Sequence, residues 1–482
     1  MIGMAPKAQR PHCRHALLLR MWRFLAFAGL LCFTAVNAAD TEGTSFQVVF
    51  FRVQINKPYR LLNIVNNGAE KVNYTVSYWE WGTNSLQDRV TNSGFVNAGD
   101  QVPVDLSKYR IMYNTVGPGF NNYPDLRVHI NTTGPVSVYA TDSAVTNISK
   151  IDRHTVGDTY LVLPDSMAGR EYVLTLPDAL QTLNPQDLWQ MKVIFLIPVS
   201  DQVKITFTQR TATGWDQETV FTIKKEQKID QHYFAQMTGL GDSFFKITGD
   251  GDFLVLAGVT CAPDHQGDCD FAAYMPPPMV GTDCAVDCRI SDDHVTYYAS
   301  DQYLLSAPIC TRILPYTVTD ENGYTQKYNL TNIEYAGPNS APFSATALMY
   351  SSNPSVFQMS RIGYRSKQEG GLYLDLVPAT SQYVTGQSTV YIHYSATVKV
   401  TMDDIANDNL MINGTKPAGD RVKVKSWHIL TTTLKGGLYS VTSSGSYLVE
   451  VVINRSSYSN GFIVGYNKQK SSSCGATTTP SA

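Results

Sequence analysis

Apolar and polar side chains alternate along most of this chain in short runs, closed by turn sequences such as NNG, AGD, ENG, GDGD and SSG at intervals of roughly ten residues. A period of two places successive side chains on opposite faces of an extended strand, and a sustained 3.6 period is almost absent, so the chain reads as all-β. Four runs share one template: VNYTV from Val72, VKITF from Val203, LPYTV from Leu314 and VKVTM from Val398. Each sets a threonine (Thr75, Thr206, Thr317 or Thr401) on the face opposite its apolar neighbours, as a half-buried strand requires. A second template, a strand leaving a glycine or polar turn, recurs as GPVSVYATDS from Gly134, GDFLVLAGVT from Gly251, FSATALMYSS from Phe343 and GSYLVEVVIN from Gly445.

A third element follows the first three of these: DTYLVLPDSMAGREYVL at Asp158, DFAAYMPPPMVGTDCAV at Asp270 and LYLDLVPATSQYVTGQSTVYI at Leu372, with Tyr160, Phe271 and Tyr373 ahead of Pro164, Pro277 and Pro378. Proline cannot donate to a ladder, so it ends pairing and releases the next strand to another sheet, and Gly169 and Gly281 are expected to permit the turn. A spacing of roughly 85 to 130 residues between copies is enough for one small antiparallel sandwich. The expected architecture is therefore a tandem array of about four β-sandwich units, over residues 39–160, 161–275, 276–375 and 376–468, with a polar tail over 469–482. A single closed, propeller-like assembly is the alternative, although propeller blades need only about 40 to 50 residues each.

Composition and the N-terminus bear on the compartment. Charged residues make up 16% and aromatic residues 11%, led by 28 tyrosines, and the net charge is −3 with no basic run, which leaves nothing to neutralise a nucleic-acid backbone. At the N-terminus Lys7, Arg10, Arg14, Arg20 and Arg23 precede the apolar run FLAFAGLLCFTAV and the small residues Ala38 and Ala39, the layout of a secretory signal peptide over residues 1–38. Met21 opens a more compact version of the same signal, so either Met1 or Met21 serves as initiator. No other stretch is long and apolar enough to span a bilayer, and the mature chain is expected to be secreted.

Six cysteines then remain, Cys261, Cys269, Cys284, Cys288, Cys310 and Cys474, and an even number in an oxidising compartment favours disulfides. Cys261 and Cys269 enclose the short loop APDHQGD and are expected to pair. Cys284 and Cys288 have no second pair at zinc-finger spacing, so no metal is expected. Six N-x-S/T sequons, at Asn73, Asn131, Asn147, Asn329, Asn413 and Asn454, are expected to carry glycans and to face solvent.

The search for chemistry returns little. Zinc-protease, nucleophile-elbow, phosphate-loop and dinucleotide fingerprints are missing, and the nine histidines are scattered. His265, and His294 beside Asp292 and Asp293, read as solvated loop residues, so neither a catalytic role nor a cofactor is expected. The acidic stretches GDGD (Asp250, Asp252), DHQGDCD (Asp264 to Asp270) and DDIANDN (Asp403 to Asn409) lack a calcium-loop pattern and read as turns, the last as a helical turn or acidic loop. The sharper candidate is aromatic: in KVNYTVSYWEWG, Val72, Tyr74, Val76 and Tyr78 share one face, while Asn73, Thr75, Ser77, Trp79 and Trp81 share the other. A wet face holding Trp79 and Trp81 offers a platform for a sugar ring or a protein partner.

The residues from Gly134 to Asp287, and more faintly those beyond, resemble the N-terminal domain of the IgGFc-binding protein family. The likeness is carried by the strand LAGVTC, then Cys269 and Asp270 at a C-D element, Pro276 and Pro277 at a proline pair, and Gly281, Thr282 and Asp283 at a G-T-E element. Phe271, Val280 and Cys284 depart from the family's histidine, tryptophan and aromatic residue. The resemblance implies an extracellular, non-enzymatic binding module; immunoglobulin binding itself does not carry over, since no matched residue is a known contact. The expected function is that of a secreted binding or adhesion protein of mucus, cuticle or body-fluid type, whose sandwiches form a stiff string and whose partner is a glycan, glycoprotein or protein. Alternatives are a self-associating matrix component and a β-rich hydrolase.

Overall fold

Three of the four units are organised around one long penultimate strand that two sheets share, and in the third unit that strand is split in two. In the first unit the order is β1 (Gly43–Val48), β2 (Phe50–Phe51), β3 (Pro58–Val65), β4 (Val72–Trp81), β5 (Leu86–Val96), β6 (Gln101–Asp105), β7 (Met112–Tyr113), β8 (Gly119–Tyr123), β9 (Val128–Thr146) and β10 (His154–Val162). The first half of β9 lies between β1 and β4, with β5 beyond β4; its second half lies between β3 and β10, with β6 beyond β3. All of these pairs are antiparallel. The structure, a computed structural model, describes residues 39–469 outside the segments 52–57, 82–85, 110, 114–117, 147–153, 180–190, 212–215, 226–230, 238–240, 264–268, 280–291, 298–300, 308–312, 332–345, 353–355, 367–368 and 456–457.

The second unit repeats the plan with β11 (Gly169–Leu176), β12 (Met191–Pro198), β13 (Gln202–Thr211), β14 (Asp216–Lys224), β15 (Gln231–Met237), β16 (Ser243–Pro263) and β17 (Cys269–Tyr274). Here β16 is the shared strand, first between β11 and β13, then between β12 and β17, and the first unit lends β8 to the edge beside β15. In the third unit, β18 (Asp292–Tyr297), β19 (Gln302–Ser306), β20 (Ile313–Asp320), β21 (Thr325–Thr331), β22 (Ala347–Ser352), β23 (Gln358–Ser366) and β24 (Glu369–Leu376), the shared strand is split. β22 lies between β18 and β20, and β23 lies between β19 and β24. The split falls between Ser352 and Gln358.

The fourth unit runs β25 (Val384–Ile392), β26 (Ala396–Met402), helix α1 (Asp404–Asn409), β27 (Met411–Ile412), β28 (Asp420–Val424), β29 (Trp427–Leu434), β30 (Gly437–Arg455) and β31 (Tyr458–Ile463). β30 lies first between β25 and β27, then between β26 and β31. Helix α1 and β27 thus stand where β4 and β5 stand in the first unit. The acidic stretch makes a helical turn because the Asp403 carboxylate accepts from Ala406 N at 2.7 Å and caps it.

The alternation is realised as expected, and the chain is all-β in several antiparallel sheets. All four template threonines are half-buried, while Val76, Phe207, Val318 and Met402 one residue on are buried. Three sequence equivalences shift. Val398 begins a run in β26, which occupies the place of β3 and β12, not that of the strands holding Val72 and Val203. The alignment on Phe343 leads into β22, the first half of the shared strand, whereas β23 is the counterpart of the run after Gly251. Gly169 lies within β11 and does not make a turn: a Cβ there would come within 2.4 Å of Pro278 Cβ, so glycine makes room for the proline closing its own unit. Gly43 meets Pro164 in the same way, at 2.3 Å. Gly281 lies outside the described residues.

The four units do not form a string. Their last strands meet, β10 packing against β17 and β31, and β24 against the same two, so that the described residues form one body. The ends close as well: Thr41 N donates to the Tyr466 carbonyl at 3.2 Å, and Lys468 N to Asp40 Oδ2 at 2.8 Å. One hydrophobic core runs through all four units, and the third keeps a second cluster of its own around Tyr316, Tyr350 and Phe357.

Candidate functional site

The outer face of the β5–β4–β9–β1 sheet holds the aromatic candidate. Alternation turns Val72, Val76, Tyr78, Val128 and Ile130 into the core, and turns Asn73, Thr75, Ser77 and Trp79 outward together with His129 and Asn131 from β9. Strand pairing then fixes the rows: Asn73 opposite Phe95, Thr75 opposite Ser93 and Asn131, Ser77 opposite Thr91 and His129, and Trp79 opposite Arg89. Asn73, Phe95, Ser93, Arg89 and Asn131 are exposed, and Trp79 and His129 are half-buried. Ser77, expected to be wet, is covered, because the Arg89 guanidinium lies over it and donates from Nη2 to Ser77 Oγ at 2.8 Å. Trp81 belongs to β4, and its side chain lies outside what is described.

One end of this face is walled by a hydrogen-bonded chain. Arg127 is buried and held bidentately by Asp125, with Nε to Oδ1 at 2.8 Å and Nη2 to Oδ2 at 2.7 Å. It also donates to Gln47 Oε1 at 2.8 Å and to the carbonyl of Lys225 in the second unit. Gln47 Nε2 and Ser45 Oγ donate to Asp165, from the 3-10 turn Asp165–Met167 that follows Pro164. Burial, aided by the charge of Arg127, pushes the His129 imidazole down to about 4. It is therefore neutral near pH 7 and presents one N–H and one lone pair.

Buried polar groups elsewhere hold the units together. Asp158 and Asp270 each accept backbone N–H groups from neighbouring connector strands. Asp158 Oδ2 takes Ala273 N and Leu374 N, each at 3.2 Å, and Asp270 takes Gly157 N at 2.9 Å and Leu372 N at 3.0 Å. Asp158, Asp270, Leu372 and Asn460 each stand six residues before Pro164, Pro276, Pro378 and Tyr466 respectively, so three of four copies keep a polar side chain at this ring position. Between the third and fourth units, Arg361 is clamped by Asp375 (Nη2–Oδ2 2.7 Å) and Glu450 (Nη1–Oε2 2.7 Å), and Lys399 joins Glu450 at 3.0 Å.

His294 is a correction. It is buried within β18, with Nδ1 at 2.8 Å from the Val377 carbonyl and Nε2 at 3.1 Å from Asp292 Oδ2. Burial disfavours its charged form, but the Asp292 carboxylate and the carbonyl outweigh burial and raise its pKa. Both ring nitrogens are committed, which makes this pair a tie between β18 and the connector after β24. Two hollows formed by described residues, one beside Tyr160, Tyr274 and Tyr466 and one beside His294 and Gln358, hold about 20 Å³ each, room for one water.

Among the other expected sites, Asn73, Asn131, Asn329 and Asn413 are exposed, while the side chains of Asn147 and Asn454 lie outside what is described. Cys261 is buried and disulfide-bonded, and its partner lies among the side chains not described. The β16–β17 hairpin sets Pro263 opposite Cys269. Cys284, Cys288, Cys310, Cys474 and His265 lie outside the described residues. In GDGD, Asp250 accepts from Lys204 N at 2.7 Å and Asp252 pairs with Arg170 at 2.9 Å, which are turn contacts. Among the described residues there is no cluster suited to a metal ion, and no helix long and apolar enough to cross a membrane. Sequence reasoning did not find Arg89 and His129; the alternation of VHINTT on β9 and the hairpin pairing of β5 were the signals that could have shown them.

No protein-family model matches the chain, and no curated protein matches it either.

Proposed function

We propose that the chain is a secreted, non-enzymatic recognition or adhesion protein of mucus, cuticle or body-fluid type, and that it presents the outer face of its first unit to a glycan or protein ligand. One observation carries this reading: Trp79 and Arg89 stand opposite each other on an outward sheet face that also holds the exposed Phe95, hydroxyls, amides and a neutral imidazole. Such a face offers an apolar stacking surface beside many hydrogen-bonding groups and little buried volume, which suits an extended ligand better than a small substrate. The signal-like N-terminus, the exposed sequons and the resemblance to the IgGFc-binding protein N-terminal domain support the same compartment and class. The Cys261–Cys269 bridge belongs to this reading, since the hairpin register brings the two within one turn of each other.

The test is a glycan array and a pull-down with the mature protein, run beside a Trp79→Ala variant whose thermal midpoint matches the parent. Loss of a ligand in the variant supports the face; a ligand held equally well by both overturns it.

A further inference from the structure

The charges around Trp79 are unequal, and that inequality identifies a ligand chemistry. Two guanidiniums reach this face. Arg127 is spent, since Asp125, Gln47 and the Lys225 carbonyl take its donors. Arg89 is not: among the described residues it bonds only to Ser77 Oγ and no carboxylate lies within ion-pair distance, and the group is exposed. A single neutral contact fixes the direction of its planar fork and leaves the other donors facing outward.

Three neighbours complete the pattern. Trp79 is directly opposite Arg89, so their Cβ atoms are about 5 Å apart, the width of a sugar ring. One row along the same face, His129 makes no hydrogen bond among the described residues and is half-exposed. Beyond it Thr75, Ser93 and Asn131 continue the row of hydroxyl and amide groups. Of the acids at this end of the face, Asp125 is paired with Arg127, while Asp165 accepts from the neutral Ser45 and Gln47 and keeps its charge.

We infer that this face binds an acidic oligosaccharide, with a sugar carboxylate on the Arg89 guanidinium, the ring stacked against Trp79 and ring hydroxyls on His129. A carboxylate matches the guanidinium fork bidentately, and an exposed arginine with no carboxylate partner among the described residues, beside an indole, offers the charge and the apolar plate that such a sugar requires together. The inference rests on the recognition reading above and narrows it to one ligand class.

The experiment is a titration of the intact secreted protein, followed by tryptophan emission and calorimetry, with a glucuronate-containing hexasaccharide, a sialylated trisaccharide, a sulfated hexasaccharide and the neutral counterpart of each. It is repeated after enzymatic removal of N-glycans, because Asn131 lies on the same face. Expected is binding of one or both carboxylate sugars at least about tenfold tighter than of their neutral counterparts, weakened by salt. Arg89→Gln is expected to lose about that tenfold for the carboxylate sugars, and Arg89→Lys to fall between it and the parent. Arg89 is exposed, so both variants are expected to fold; a thermal midpoint equal to the parent's verifies it. Equal binding of acidic and neutral sugars, preference for the sulfated sugar alone, an unchanged Arg89→Gln variant, or no binding of any carboxylate sugar would each overturn the inference. If the pull-down yields a different ligand that Trp79→Ala loses, recognition by this face stands and only the acidic-sugar assignment falls.

Discussion

The Leu374 N–H donates to Asp158 Oδ2 at 3.2 Å across 216 residues of sequence, and the Ala273 N–H reaches the same oxygen at 3.2 Å. Three connector strands from three units thus meet on one buried carboxylate. They run side by side without a shared ladder, and Asp158 and Asp270 accept the N–H groups that a ladder would have satisfied. Asp158→Ala orphans two buried donors from other units and is expected to cost roughly 2 to 4 kcal/mol. Denaturant unfolding measures it, and a midpoint unchanged from the parent would show that the ring is held otherwise.

Arg361 carries the seam between the third and fourth units. Removing it leaves Asp375 and Glu450 buried without their shared partner, so Arg361→Met is expected to cost roughly 3 to 5 kcal/mol. Because the partners lie in different units, calorimetry of this variant is expected to separate a single transition into two. A single transition at the parental temperature would contradict the seam's role.

Stability is expected to peak in mildly acid solution. Burial, opposed by Arg60 and Arg361, pushes Asp142 and Asp375 each up to about 7. Their folded pKa lies above the unfolded value of about 3.9, so the stabilisation they give is complete below pH about 4 and is lost as pH rises through 7. His294, also raised, loses its contribution as pH climbs past about 6.5. Glu450 runs the other way: burial would raise it, but Arg361 and Lys399 hold it at about 2, so its contribution is present above about 4.3 and fades toward 2. The thermal midpoint should therefore be highest near pH 4 to 5 and decline toward pH 8, and Asp142→Asn should flatten that decline. A midpoint that rises from pH 5 to 8 would refute the assignment.

Tyr373 is clasped between two glycines. A Cβ on Gly363 would lie 2.0 Å from its Cζ, and one on Gly461, from the fourth unit, 2.1 Å from its Cδ2. Gly461→Ala is expected to cost roughly 1 to 3 kcal/mol by overpacking. Combining it with Tyr373→Leu should recover part of that loss in a double-mutant cycle, whereas strict additivity would place the strain elsewhere.

Expression through a eukaryotic secretory pathway is expected to load glycan on Asn73, Asn131 and Asn329, whose side chains are exposed on strands. Asn413 is exposed too, but its Oδ1 accepts from Ser440 N at 2.8 Å in a left-handed turn at φ 50°, so its occupancy should be lower. Peptide mass spectrometry after enzymatic release reads each site separately.

Much of the fold was legible because it depends on local alternation. The period of two that sends Val76 inward and Thr75 outward needs no knowledge of the partner strand, and the proline that ends β10 acts on its own ladder. What stayed hidden depends on which strand lies next. VKVTM has the same local pattern as VNYTV, yet it fills the place of β3, because α1 and β27 replace a hairpin later in the chain. Ring closure is hidden for the same reason: Asp270 reads as a turn acid, and Asp158 only as the start of a connector, until the N–H groups of other units are brought to them. At the candidate face, Trp79 was visible from its strand, whereas Arg89 and His129 joined it only through pairing with β5 and β9.

The strand that closes the ring is made long after the strand it closes upon. The Asn460 amide reaches the Thr159 hydroxyl across 301 residues, a delay of roughly 15 to 60 seconds at ordinary translation speeds. Through that interval a flank of β10 lies open on the nascent chain, joined by that of β24 once it is made, so this protein should lean on chaperones late in its synthesis, and a message truncated before Tyr458 should yield a product that cellular quality control destroys.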